Sequence, residues 1–433
     1  MTPTTVAIVG ITTLVLLTFS RMHIGVVMGL IGVVGFGYLT GFVPAVSLLK
    51  TVPYTSFADE TLSVLPLFLL MGSFAFQSGM SEDMYRTVYV LLGRFRGGLA
   101  MATVAACALF AAISGSAIAT AATLCRVAMP EMKKYKYSSK LATGCLAAGG
   151  TIGIMIPPST IFLLYGILTE QSIAKLFAAG FIPGIIQAIT YFIVIAILCK
   201  IDPSIGPPGP SFTMKEKVVA LKGIVEVAIL FLVVIGGLYI GIFTPTEAAG
   251  VGAFGAFICM IIRKALTWKA LKTSLNETVA TTGMLFLIIM GAMLLNYFLA
   301  KTRLPFALAE WVVGLQVSRY VVLFAIVILL MIMGALMDEL AIMLLTVPVL
   351  FPLVMKLGFD PIWFGVIITK MMEMGMILPP VGINVYVIQG ITAEPMGSIY
   401  KGIMPFVIAD CVQIILLVVF PQIATFIPSL MTH

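Results

Sequence analysis

The chain has 433 residues, of which 61% are hydrophobic and only 10% charged, and its 25 lysines and arginines exceed its 18 aspartates and glutamates to give a net charge of +7. A soluble globule carries about 25% charged residues, so this composition, with a mean hydropathy of +1.15, excludes that class and predicts an all-α polytopic membrane protein. At about 20 residues per span and with short loops, the length accommodates roughly a dozen spans or re-entrant segments.

In chain order the apolar stretches are 5–20, 24–49, 62–76, 99–112, 117–128, 141–168, 181–198, 218–242, 248–262, 278–299, 321–337, 340–355, 363–389 and 406–426. The first has no basic residue before it and exceeds a signal-peptide core, so it is expected to be a retained span. Glycines such as Gly35 and Gly37 in the second are expected to be close-packing positions. The six cysteines lie in or beside these stretches without CxxC spacing and behave as small hydrophobes.

Basic residues fall at Arg94 and Arg96, at Lys133, Lys134, Lys136 and Lys140, at Lys215 and Lys217, and at Arg263, Lys264, Lys269 and Lys272. The positive-inside rule puts these loops in the cytoplasm, and short basic loops between spans argue against a nucleic-acid partner. The segment between Arg96 and Lys133 is therefore basic at both ends, and it is interrupted at Ser114-Gly115-Ser116. A re-entrant hairpin with its tip there fits better than two short spans joined by a small-residue turn.

Next comes Gly153-Ile-Met-Ile-Pro157-Pro158 inside an apolar stretch, and later Gly375-Met-Ile-Leu-Pro379-Pro380 in the equivalent place. Proline lacks a backbone donor and clashes with the carbonyl four residues back, so each pair should break its helix. The breaks would free the carbonyls of Gly153 and Ile154, and of Gly375 and Met376. Helices broken at matching places in two halves point to a secondary transporter with its site near the bilayer midplane. Between the halves, the Pro- and Gly-rich stretch 200–217 reads as a linker.

Thr244-Pro-Thr-Glu247 reads as a capping box that starts a helix. A break opening at Gly334 and running to Asp338 and Glu339 then precedes Pro348 much as Gly115 precedes Pro130. The predicted organisation is a first repeat, 1–199, with its hairpin at about 97–131 and broken helix at about 141–168. After the linker, the second repeat, 218–433, has its hairpin at about 320–356 and broken helix at about 363–390. A cytoplasmic linker and an odd number of crossings per half would make the repeats inverted. Arg319 and Lys356 flank the second hairpin, so charge alone leaves the inversion open.

Several of these runs resemble the large membrane subunit of tripartite ATP-independent periplasmic (TRAP) transporters. They are Ser114-Gly-Ser-Ala-Ile-Ala-Thr-Ala-Ala, Met129-Pro-Glu-Met, Ala148-Gly-Gly-Thr-Ile-Gly-Ile-Met-Ile-Pro-Pro-Ser159 and Tyr165-Gly-Ile-Leu-Thr-Glu-Gln171. Gly241 to Ala248, Gly334 to Asp338 and Gly375-Met-Ile-Leu-Pro-Pro-Val-Gly-Ile-Asn384 extend the resemblance nearly end to end. It implies an elevator-type transporter in a bacterial inner membrane. Such a protein takes a small organic anion, a carboxylate or sulfonate, from a periplasmic binding protein and moves it inward with sodium. It also implies a small four-helix membrane subunit, here expected as a separate chain. Two residues depart from the pattern: Leu378 stands where a threonine is expected, and Arg126 replaces a small or apolar residue.

Sodium prefers several hard oxygen ligands, which a hairpin tip facing a broken helix supplies. One candidate site lies between Ser114, Gly115, Ser116 and Gly150, Thr151, Gly153, and a second between Gly334, Asp338 and Gly375, Met376, Gly382. The anion is expected at half-helix N-termini, near Ser159, Thr160 and Asn384. Arg126 is either a further anion ligand or an interfacial arginine that snorkels. Asp338 and Glu339 double as helix caps, and Lys370 with Glu373 reads as a one-turn structural pair.

An integral-membrane enzyme is disfavoured, because the histidines are only His23 and His433 and no acidic pair recurs at metal spacing. The absence of a glycine-lysine phosphate loop argues against an ATP-driven pump on this chain. No cofactor is expected beyond sodium as the coupling ion. A carrier that works without a binding protein is the alternative, and the sequence leaves the choice among small acids open.

Overall fold

The computed structural model describes residues 2–18, 20 and 22–431, so His433 lies outside the described residues. It is all helical. The chain opens with α1 (Pro3–Thr18), α2 (Ile24–Thr40), α3 (Phe42–Ala58), α4 (Val64–Gln77) and α5 (Met80–Leu92). Then follow α6 (Gly98–Ser114), α7 (Ala117–Lys134), α8 (Ser139–Met155), α9 (Thr160–Thr169) and α10 (Ile173–Ile201). The second half comprises α11 (Met214–Phe231), α12 (Gly237–Ile240), α13 (Pro245–Ile262), α14 (Trp268–Thr302) and α15 (Leu304–Gly314). It closes with α16 (Arg319–Leu336), α17 (Glu339–Lys356), α18 (Pro361–Gly375), α19 (Ile383–Thr392), α20 (Met396–Val419) and α21 (Gln422–Leu430). Among the described residues, 9 helical runs are long and apolar enough to cross a membrane.

The helices start and stop for local reasons. Thr244 Oγ1 accepts from the Glu247 amide at 3.2 Å and Glu247 Oε2 from the Thr244 amide at 2.9 Å, so the expected capping box starts α13 with Pro245 at its first position. α8 ends before Pro157, and α18 before Pro379, where the amide that would extend each helix is missing. Beyond each break a new helix begins, capped by Ser159 in one case and led by Gly382 in the other.

Small residues let the helices approach closely. α2 lies along α14, where a Cβ on Gly25 would fall 2.6 Å from the Leu287 carbonyl oxygen. Gly35 faces Phe298 and Gly37 faces Ala45, as close-packing positions should. The most buried helices are α8 and α18: every residue from Leu141 to Met155 and from Ile362 to Gly375 is buried. Around them pack the hairpins α6/α7 and α16/α17, with α10 and α20.

Each hairpin also reaches across to the other half, α7 packing on α19 and α17 on α9. The broken helices run antiparallel. Ser139 Oγ at the start of α8 donates to Glu394 just past α19, at 3.0 Å, and Tyr165 Oη near the end of α9 donates to the Pro361 carbonyl at the start of α18, at 2.7 Å.

The base of the first hairpin closes on itself: the Leu99 amide donates to Tyr137 Oη at 3.1 Å. The stretch between the halves meets it there, with the Gly206 and Ile205 carbonyls accepting from the Gly97 and Ser138 amides at 2.8 and 2.9 Å. The segments 94–97 and 133–140, whose charges suggested a common face, thus share one end of the molecule with the stretch 202–208.

Three expectations need correction. Gly334 does not open a break, because α16 continues to Leu336 and the turn is confined to Met337 and Asp338. Its place is a close-packing one, where its Cβ would fall 2.8 Å from Gly375 Cα. The linker is shorter than expected, since α10 extends to Ile201 and Thr213 caps α11, making Lys215 and Lys217 helical. Lys269 and Lys272 are likewise helical rather than loop residues, because Thr267 caps α14 ahead of them.

Candidate functional site

At the first hairpin tip, Gly115 turns the chain at φ +60, a left-handed conformation that favours glycine. A Cβ there would lie 2.7 Å from the Pro158 carbonyl oxygen, so the tip sits directly on the first break. Thr120, one turn into α7, donates to the Ser116 carbonyl at 2.7 Å. Its single proton being used there, Ser114 Oγ donates to Thr120 Oγ1 at 2.9 Å. A Cβ on Gly153 would meet both the Ser116 carbonyl and Thr120 Oγ1 at 3.2 Å. Ser114, Ser116, Thr120 and Gly153 are thus brought together, and Pro157 and Pro158 leave the Gly153 and Ile154 carbonyls without a helical donor.

Gly150 lies against Ala121 and the side-chain amide of Asn384. Thr151 is fully buried, and its hydroxyl donates to Ala148 within α8 at 2.8 Å. Such a set of hydroxyl and carbonyl oxygens is chemically suited to a small hard cation.

The second hairpin differs. Asp338 Oδ2 caps α17 by accepting from the Leu340 amide at 3.1 Å, and the Val381 amide donates to the Ala335 carbonyl at 3.2 Å, tying the tip to the break. The expectation of a free Met376 carbonyl is corrected: it accepts from the Asn384 amide at 3.1 Å, because Gly382, at φ +48, turns the chain back toward α18. The Gly375 carbonyl loses its helical donor to Pro379. Tyr400 Oη donates to the Pro380 carbonyl at 3.1 Å. Leu378 brings no hydroxyl to this break, whereas Glu339 holds a buried carboxyl oxygen with no hydrogen-bond partner among the described residues.

In front of the first tip lies a cavity of about 320 Å³. α7 contributes Ala119, Thr123 and Arg126, which with Ser116 share one helix face at spacings of three and four. The opposite wall is Ser73 of α4 with Glu277, Thr278 and Thr281 of α14. Arg126 is solvent-exposed on this cavity, and among the described residues no carboxylate lies within 4.0 Å of it. Glu277 Oε2 accepts from Ser73 Oγ at 3.0 Å.

Of Ser159, Thr160, Asn384 and Arg126, only Arg126 lines this cavity. Ser159 and Thr160 border a separate void of about 10 Å³ behind the tip, too small for an organic solute. Ser159 Oγ caps α9 by accepting from the Phe162 amide at 3.4 Å, and Thr160 Oγ1 donates to the Gly115 carbonyl at 3.4 Å. The half-helix end faces the hairpin tip, so its donors are turned away from the cavity. Asn384 is fully buried and donates instead to the Ala147 carbonyl of α8, at 3.2 Å.

Sequence reasoning missed Thr120, whose signal was its place four residues after Ser116 on α7. It also missed Glu277, hidden because the start of α14 was taken for a loop. Lys370 with Glu373 belongs to a larger brace. Lys370 Nζ reaches Glu373 at 2.9 Å and Asp410 at 2.8 Å, and Tyr191 Oη donates to Asp410 at 2.9 Å, joining α10, α18 and α20 in the core.

Residues 11–423 match the family model described as tripartite ATP-independent periplasmic transporter, DctM component. The chain is 35% identical over 370 residues to the C4-dicarboxylate TRAP transporter large permease protein DctM of Pseudomonas aeruginosa, covering 85% of this chain and 86% of that protein. It is 32% identical over 371 residues to the sialic acid TRAP transporter large permease protein SiaM of Vibrio cholerae, covering 86% of each. It is 30% identical over 378 residues to the isethionate TRAP transporter permease protein DctMQ of Oleidesulfovibrio alaskensis, covering 87% of this chain and 59% of that protein. In fold it is similar to the YdaH transporter of Alcanivorax borkumensis, with a TM-score of 0.64 at 14% identity over 87% of this chain and 89% of that one.

Proposed function

Because the chain belongs to the DctM component family of tripartite ATP-independent periplasmic transporters, we propose that it is the large membrane permease for sodium-coupled uptake of a small organic anion across a bacterial inner membrane. The observation that carries this reading is the cavity in front of the first hairpin tip, which is lined both by Arg126, a cation with no carboxylate within 4.0 Å among the described residues, and by Ser114 and Ser116 of the oxygen cluster that Thr120 completes. Charge attraction favours an anion against Arg126. A sodium ion at the cluster would fix the tip and offset part of the cost of bringing that anion in.

The first sodium site is proposed at Ser114, Ser116, Thr120 and the Gly153 carbonyl, with Gly115, Gly150 and Thr151 shaping it. The second is proposed at Asp338 and the Gly375 carbonyl, with Gly334, Met376 and Gly382 positioning the backbone. The antiparallel broken helices and the reciprocal packing of each hairpin on the other half support two inverted repeats. In the proposed elevator motion the hairpins, α8/α9 and α18/α19 move as one body past α4 and α14. A periplasmic binding protein delivers the solute, and a small membrane subunit holds the exposed apolar faces of the outer helices with lipid.

The test is solute uptake by proteoliposomes containing this chain and its small membrane partner. Uptake should require an inward sodium gradient and the binding protein. Appreciable uptake of free solute without the binding protein would overturn the tripartite reading.

A further inference from the structure

Two charged groups of opposite sign line the cavity. Arg126 on α7 and Glu277 on α14 line the same space of about 320 Å³, yet neither has an oppositely charged partner within 4.0 Å among the described residues. Among the described residues Glu277 is held through Oε2 alone, by Ser73 at 3.0 Å. Its other oxygen can accept from a donor in the cavity.

The two charges stand on opposite walls, one on the hairpin and one on the long helix facing it. A solute bridging the walls meets a cation at one end and an anion at the other. A dicarboxylate that placed one end on Arg126 would bring its second charge toward Glu277, where like charges repel. An ammonium at that end would be attracted. Ser73, Thr123, Thr278 and Thr281 add hydroxyls able to bond either end.

Resting on the reading of this cavity as the solute site, we propose that it selects a zwitterion, a small amino carboxylate or amino sulfonate, with Arg126 holding the acidic group and Glu277 the ammonium. Glu277 is then a specificity-determining residue, and dianions are rejected although some relatives are named for C4-dicarboxylates.

Two matched pairs of probes test this. Taurine differs from isethionate by an ammonium in place of a hydroxyl, and β-alanine from succinate by an ammonium in place of a carboxylate. The readout is protection of a single cysteine, Thr281→Cys, from a maleimide in the purified transporter in sodium buffer, after the native cysteines are replaced. Taurine and β-alanine should protect at concentrations about tenfold lower than isethionate and succinate, as one added charge pair in a part-solvated site implies. Glu277→Gln should reduce that preference to about threefold or less, and Arg126→Gln should abolish protection by all four.

Equal or better protection by succinate, or a preference unchanged in Glu277→Gln, would overturn the zwitterion assignment. If Arg126→Gln still abolished protection in that case, the anion site itself would stand. Protection by none of the probes at about 100 mM, weaker than any useful affinity, would remove both.

Discussion

The side-chain amide of Asn384, from the second half, donates to the main-chain carbonyl of Ala147, in the middle of the first half's broken helix, at 3.2 Å. Its backbone amide meanwhile holds the Met376 carbonyl at 3.1 Å. One buried residue therefore fastens the second break to the first broken helix, three residues from Gly150.

Asn384→Leu should remove the cross-link and leave the Ala147 carbonyl with its helical hydrogen bond alone. Loss of a hydrogen bond of this kind costs about 0.5–1.5 kcal/mol. The thermal unfolding midpoint of the purified protein should fall, and sodium should stabilise the variant less than it stabilises the native chain. An unchanged midpoint would show that the contact carries no weight.

Gly334 and Gly375 meet backbone to backbone, where a Cβ on Gly375 would fall 2.6 Å from Gly334 Cα. Alanine at either position should force α16 from α18 and destabilise by about 1–3 kcal/mol, the usual cost of overpacking. Gly250 and Gly283 face open space and serve as controls. Equal melting of all four alanine variants would contradict the packing role assigned to Gly334.

Because the Leu99 amide reaches Tyr137 Oη, both ends of the first hairpin lie at one end of the molecule. At 17 residues, α6 is about 26 Å long, short of a full bilayer crossing with its flanks. Single cysteines at Arg96 and Lys134, both exposed, should label only from the cytoplasm in sealed cells once the native cysteines are replaced. Gly97 is a poor reporter, since its φ of +73 disfavours a side chain. Labelling of either site from outside would remove the re-entrant hairpin.

The oxygen cluster at the first tip separates ligand from cap. Thr120→Val keeps shape and removes the hydroxyl that links Ser114 to the Ser116 carbonyl. The sodium concentration for half-maximal uptake should rise about tenfold, equivalent to one lost ligand of roughly 1.4 kcal/mol. Ser159→Ala removes only the α9 cap and should leave the sodium dependence near the native value while lowering stability by about 1 kcal/mol. The opposite order of effects would place the ion elsewhere.

Much of this architecture was legible because membrane chains satisfy their backbone groups locally. Pro-Pro pairs at 157–158 and 379–380 mark helix breaks through a missing donor, and the box at Thr244 to Glu247 marks a start through hydrogen bonds within one turn. What escaped was decided between helices. Gly334 looked like a turn glycine, but its reason is Gly375, distant in sequence. Asn384 looked like a donor to the anion at a half-helix N-terminus, and the turn at Gly382 directs it into the other half. The polar start of α14 looked like a loop, which hid Glu277 opposite Arg126.

The central claim is that sodium held at the first hairpin tip is coupled to transport. It is tested most directly by measuring uptake in proteoliposomes at fixed pH, with the binding protein present, as the sodium gradient is varied. There should be no accumulation without sodium, and Thr120→Val should raise the sodium requirement. Full accumulation driven by a proton gradient alone, with Thr120→Val indistinguishable from the native chain, would contradict it.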